Sequence, residues 1–103
     1  LRKEANFVIH TIAAVLVIVA GFFFSISRTE WIVVALTIGA VMAAEAMNTS
    51  VEKLCDRFMP GKDPDIKVIK DTAAASVLII SIAAAVVGCI VFLPYLIQFF
   101  QDL

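Results

Sequence analysis

Charge, glycine, histidine and cysteine are all scarce in this 103-residue chain, and each scarcity excludes something. Charged residues make up 17% of it, against about 25% in soluble domains. The hydrophobic fraction is 62%, far above the roughly 45–50% usual in soluble domains, so an ordinary water-soluble fold is excluded. The four glycines, Gly21, Gly39, Gly61 and Gly88, stand too far apart for a G-x-x-x-x-G-K-[ST] or G-x-G-x-x-G phosphate loop. Any nucleotide must therefore be held by an unrelated scaffold. The two cysteines, Cys55 and Cys89, form no C-x-x-C and read as free thiols in a reducing or lipid environment. The first apolar run is too long for a secretory signal and lacks a small-residue cleavage site. The length permits one domain, residues 1–103.

What is present is three long apolar runs. Leu1 to Asn6 is short and charged, and Phe7 to Ile26 then supplies about 20 apolar residues, enough for one span. His10 is the one strongly polar residue inside that run and reads as an interfacial side chain satisfied by headgroups or a neighbouring helix. Residues 25–30 make a tight connection, with Thr29 as the expected N-cap of a second helix and Trp31 as an interfacial anchor. That helix is expected to run on to about Phe58. Pro60-Gly61 and Asp63-Pro64 mark a loop, after which Asp65 is expected to cap a third helix that enters the bilayer at Thr72. The small residues Ala73, Ala74, Ala75 and Ser76 allow close helix approach. Pro94 is expected to kink or end the last span, and Phe92, Tyr95, Phe99 and Phe100 suit its far interface. The fold class is therefore an all-α membrane protein with three transmembrane helices. So little chain per helix suggests a homo-oligomer.

Charge placement orients the spans. Arg2, Lys3, Lys53, Arg57, Lys62, Lys67 and Lys70 fall on one side, and Arg28 alone on the other. The positive-inside rule makes the first side cytoplasmic. No nucleic-acid partner is expected. On that side the second helix carries Glu45, Asn48, Glu52 and Asp56. At about 100° per residue these four lie within roughly 80° of one another. Polar groups at membrane depth are costly and usually functional.

The stripe meets further charges, Glu4, Lys70 and Asp71, at the cytoplasmic boundary. Carboxylates with one Lys suit Mg²⁺-assisted phosphoryl transfer, because Mg²⁺ takes one or two carboxylates plus phosphate oxygens and water. Glu45 is deepest, about 10 Å of helix from Glu52, where it can meet a lipid hydroxyl as general base. Glu52, nearer water, suits metal and phosphate. Two other readings use the same stripe: a proton-coupled transporter with Glu45 as carrier, or a structural subunit with the stripe as an assembly seam. Neither needs the charge-rich cytoplasmic loop or the Lys70-Asp71 pair.

Glu45-Ala-Met-Asn48-Thr-Ser-Val-Glu52, then Asp56, then Ile69-Lys70-Asp71-Thr-Ala-Ala-Ala-Ser-Val-Leu, resembles the signature of the prokaryotic diacylglycerol kinase family, which includes undecaprenol kinase. Glu4-Ala-Asn6-Phe-Val-Ile-His10 is similar to the family's segment before the first span, with a pattern closer to the undecaprenol-kinase branch. The resemblance implies a homotrimeric lipid kinase of the bacterial cytoplasmic membrane that uses ATP and Mg²⁺ on diacylglycerol or undecaprenol. It implies Glu45 as catalytic base and Glu4 and Glu52 as metal ligands. Glu4, Glu52, Asp63, Lys70 and Asp71 would meet the nucleotide, and Asn48 and Asp56 would line the active site. Where family members often carry a Glu-x-His pair, this chain has Gly61-Lys62-Asp63. The family's N-terminal basic surface helix is not in the sequence, which opens on Leu1, so a segment missing upstream is expected.

Overall fold

The computed structural model describes the backbone of residues 2–61 and 63–103, and side chains from residue 6 onward except that of residue 62. Three antiparallel helices follow one another: α1 (Arg2–Phe24), α2 (Arg28–Phe58) and α3 (Pro64–Gln101). All three are long and apolar enough to cross a membrane. In hydrocarbon a backbone must satisfy its own hydrogen bonds, and helices do so within the segment. Several hydroxyls in the runs also turn inward to the backbone: Thr11, Thr37 and Thr72 donate to the carbonyls of Phe7, Val33 and Val68 at 2.9, 2.7 and 2.7 Å. The outer faces are lined with exposed side chains such as Leu36, Ile79 and Ile90, which only lipid or other subunits can cover.

With 31 and 38 residues, α2 and α3 run to about 46 and 57 Å at 1.5 Å per residue, well beyond a hydrocarbon core of about 30 Å. The excess forms a foot that carries residues 52–71. The charged start of the chain is not a separate extension, because α1 already begins at Arg2.

The first connection is tighter than expected. Ser25 takes a left-handed φ of 52°, Ser25 N–H donates to Phe22 O at 3.3 Å and Ile26 N–H to Gly21 O at 3.1 Å. This is a Schellman ending for α1, with Ser where Gly is commoner. The N-cap of α2 is Ser27 and not Thr29. Ser27 Oγ accepts from Glu30 N–H at 3.1 Å, while Glu30 Oε1 accepts from Ser27 N–H at 2.9 Å. Ser27 has a Glu three residues on and Thr29 does not, so Ser27 alone completes this reciprocal box. Likewise Asp63, not Asp65, caps α3: its Oδ1 accepts from Asp65 N–H at 2.8 Å, with Pro64 in the first turn.

Pro94 does not end α3, which continues to Gln101. The turn around it is held from outside. Tyr95 donates to Glu30 Oε1, and Phe24 packs against Phe92, Tyr95 and Phe99 with ring centroids 5.9–6.4 Å apart. Trp31 is more than an interfacial anchor. Its ring lies over α1, 4.9 Å from that of Phe22, and a Cβ built on Gly21 would sit 2.5 Å from its Cη2. Gly21→Ala should therefore push the indole out and lower stability by about 1–3 kcal/mol, as overpacking typically does. Thermal unfolding in micelles would show it, and an unchanged midpoint would mean that the α1–α2 seam does not depend on this contact.

Candidate active site

The inner face of α2 is set by Val34, Val41, Glu45, Asn48 and Cys55, all buried. The apolar members of that face are ordinary membrane-helix packing, but Glu45 and Asn48 are not. Glu45 is 2% exposed and Asn48 8%. Asn48 Nδ2 donates to Glu52 Oε1 at 3.1 Å, one turn nearer the foot, and so holds that carboxylate in place. The stripe does not continue straight to Asp56. Cys55 occupies the buried position there, and Asp56 turns outward to accept from Lys70 Nζ at 2.7 Å.

Glu45, Asn48 and Glu52 thus come together on one face, and the Asp56–Lys70 pair joins α2 to α3 below them. Lys70 precedes the point where α3 enters the bilayer. The hydrogen bond to Asp56 holds its ammonium above the ordinary lysine range, so it keeps its positive charge. Asp71, next in sequence, lies about 100° further round the helix and pairs instead with Lys67 at 2.7 Å. Asp63 is at the start of α3 as its cap. The side chain of Glu4 lies outside the described residues.

Among the described residues no hydrogen-bond donor reaches two buried oxygens on the stripe, Glu45 Oε2 and Asn48 Oδ1. Native proteins pair nearly all such atoms, so each exception calls for an explanation. Glu45 Oε2 has a near neighbour in His10 Nε2 of α1, 3.5 Å away, within ion-pair range but without a hydrogen bond's geometry. His10 is therefore not simply an interfacial side chain, as its place near the start of the first run suggests, but faces a buried carboxylate. A signal for this was present. His10 lies about 16 residues before the turn and Glu45 about 19 after it, so a lone His and a deep Glu stand at nearly matched depth on antiparallel helices.

From this end an apolar cleft of about 330 Å³ runs between the three helices. His10 and Met42 lie at its end nearest Glu45, Val34 and Phe92 towards the other, and Thr37 and Ser81 are among its lining residues. Glu45 does not itself line the cleft but lies behind His10, 3.5 Å from its Nε2, so an alcohol in the cleft would meet the imidazole before the carboxylate. Among the described residues no group of three His, Cys, Asp or Glu side chains could by itself hold a metal. Mg²⁺ would not need such a group, because one or two carboxylates suffice when phosphate oxygens and water complete its shell.

A family model for prokaryotic diacylglycerol kinase matches residues 1–92, a stretch that contains every residue of the site. The chain belongs to the prokaryotic diacylglycerol kinase family. The enzyme class follows from that membership: this is a lipid kinase. The chain is 35% identical over 95 residues to the undecaprenol kinase of Bacillus subtilis, covering 92% of this chain and 77% of that protein. It is 37% identical over 96 residues to the diacylglycerol kinase of Synechocystis, covering 92% of this chain and 55% of the relative. The chain therefore spans about half the length of the second relative. No solved structure shows a significant match.

Proposed function

We propose that the chain transfers the γ-phosphate of ATP to the hydroxyl of a membrane lipid alcohol, undecaprenol or diacylglycerol, at the cytoplasmic face of the bacterial inner membrane. The observation that carries this is the buried Glu45 carboxylate, whose Oε2 meets no hydrogen-bond donor among the described residues and lies 3.5 Å from His10, a lining residue of the apolar cleft. The lipid approaches along the membrane side and ATP from the basic foot, whose charge bias supports the orientation. Glu45 accepts the hydroxyl proton, the alcohol oxygen bonds to the γ-phosphorus, and the bond to the β-phosphate oxygen breaks to release ADP. Glu52, oriented by Asn48, would hold Mg²⁺ together with Glu4, and a bound ion would neutralise phosphate charge. Lys70 and Asp71 border the phosphates, with Asp56 fixing the Lys70 ammonium and Asp63 at the loop towards the nucleoside. Exposed apolar side chains low on the foot, Leu54 and Phe58, support assembly into a homotrimer. The proton-carrier reading of Glu45 is not favoured, because the family is one of kinases.

Labelled ATP supplied with undecaprenol or diacylglycerol in mixed micelles tests the reading, and the kcat/KM ratio between the two assigns the lipid. Transfer to neither alcohol, with proton flux in vesicles instead, would overturn it. The metal role is separable. Glu52→Ala should raise the Mg²⁺ concentration needed for half-maximal rate, whereas an unchanged Mg²⁺ titration would remove Glu52 from the metal site.

A further inference from the structure

His10 sits where it can act on the proposed base without belonging to the helix that carries it. Its side chain is 21% exposed and that of Glu45 3%, with Nε2 3.5 Å from Oε2. It also lines the cytoplasmic end of the apolar cleft, so one imidazole touches both the carboxylate and the route along which a lipid alcohol would come. From this geometry we infer that His10 is a positioning residue for phosphotransfer, holding the Glu45 carboxylate in the orientation that receives the hydroxyl proton. The inference rests on the reading of Glu45 as base.

The physical reason is the cost of burying a charge. A carboxylate taken out of water needs donors to replace its hydration, and a facing N–H supplies one and fixes the direction of the oxygen it meets. Nothing else among the described residues supplies this at Oε2, which has no hydrogen-bond donor. In the cleft, α2 presents Thr37 among apolar residues, and α3 presents the Ser81 hydroxyl among Ala84, Ala85, Gly88 and Phe92. Among the described residues, the titratable group facing His10 there is therefore Glu45. A shift of the imidazole by less than about 1 Å would close a 3.5 Å approach to hydrogen-bond length, so binding of the alcohol can complete the contact. The placement depends on the short turn at residues 25–27, which fixes α1 against α2.

The test is the steady-state kinetics of phosphotransfer by the full chain with ATP, Mg²⁺ and a lipid alcohol in mixed micelles. His10→Ala should lower kcat by about 10–100-fold with KM for ATP little changed. His10→Gln keeps an N–H donor and should recover a large part of the loss. Should His10→Ala fold poorly, His10→Gln and His10→Leu, compared at equal folded fraction, carry the same contrast. A kcat unchanged in His10→Ala, or a His10→Gln as impaired as the apolar variant, overturns the positioning role. Failure of the base reading looks different: Glu45→Gln would then retain its rate whatever happens at His10.

Discussion

Glu45→Gln should reduce phosphotransfer by about 10²–10⁴-fold, the range of a lost general base, while the protein becomes no less stable. The substitution preserves shape at a position that is 2% exposed, so no cavity opens. It replaces a buried carboxylate, one oxygen of which has no donor, by a neutral amide that cannot accept the hydroxyl proton. Removing an incompletely paired buried charge is usually neutral or stabilising, so the thermal midpoint should hold or rise. The opposed signs are diagnostic. A stability loss parallel to the activity loss would make Glu45 a packing residue, and near-wild-type transfer would end its assignment as base. Labelled-phosphate transfer and thermal unfolding on the same micelle preparation measure both.

That opposition also bears on what the sequence could and could not reveal. The three spans were legible because an unbroken apolar run of about 20 residues matches the thickness of a bilayer and little else. The stripe was legible because Glu45, Asn48 and Glu52 repeat at helical spacing at the end of one such run. Its lower end was not. Extrapolating one more turn put Asp56 on the same face, but Lys70 draws Asp56 outward and Cys55 takes the buried position. Adjacent residues misled in the same way: Lys70 and Asp71 look like a pair in sequence, yet the helix sends them to Asp56 and Lys67. Ser27 and Thr29 are both good caps, and the choice between them is made by Glu30, which Tyr95 then binds from 65 residues away. For His10 the sequence leaves headgroups and a neighbouring helix both open, for a related reason. Its meaning lies in α1–α2 pairing, whereas periodicity reports only on one helix at a time.

Lys70→Gln should lower kcat/KM by about 10²–10³-fold, comparable to losing one preorganised donor aimed at developing charge. Lys70 is the basic residue of α3 that its contacts tie to the stripe-bearing helix, since its ammonium bonds Asp56 across the helix pair at 2.7 Å. Its side chain is 35% exposed and its partner's 55%, so the pair faces water, where phosphates would arrive. That same exposure makes the ion pair worth little to the fold, and the thermal midpoint should barely move. Lys70→Arg keeps the charge but spreads it over a planar fork, so it should restore part of the rate. Asp56→Asn separates positioning from charge. It leaves the ammonium in place with a weaker anchor, and its loss should be much smaller than that of Lys70→Gln. Should Asp56→Asn prove as damaging as Lys70→Gln with the fold intact, the carboxylate itself would be the functional member. A Lys70→Gln enzyme within a factor of a few of the parent would place the phosphate-binding charge elsewhere on the foot.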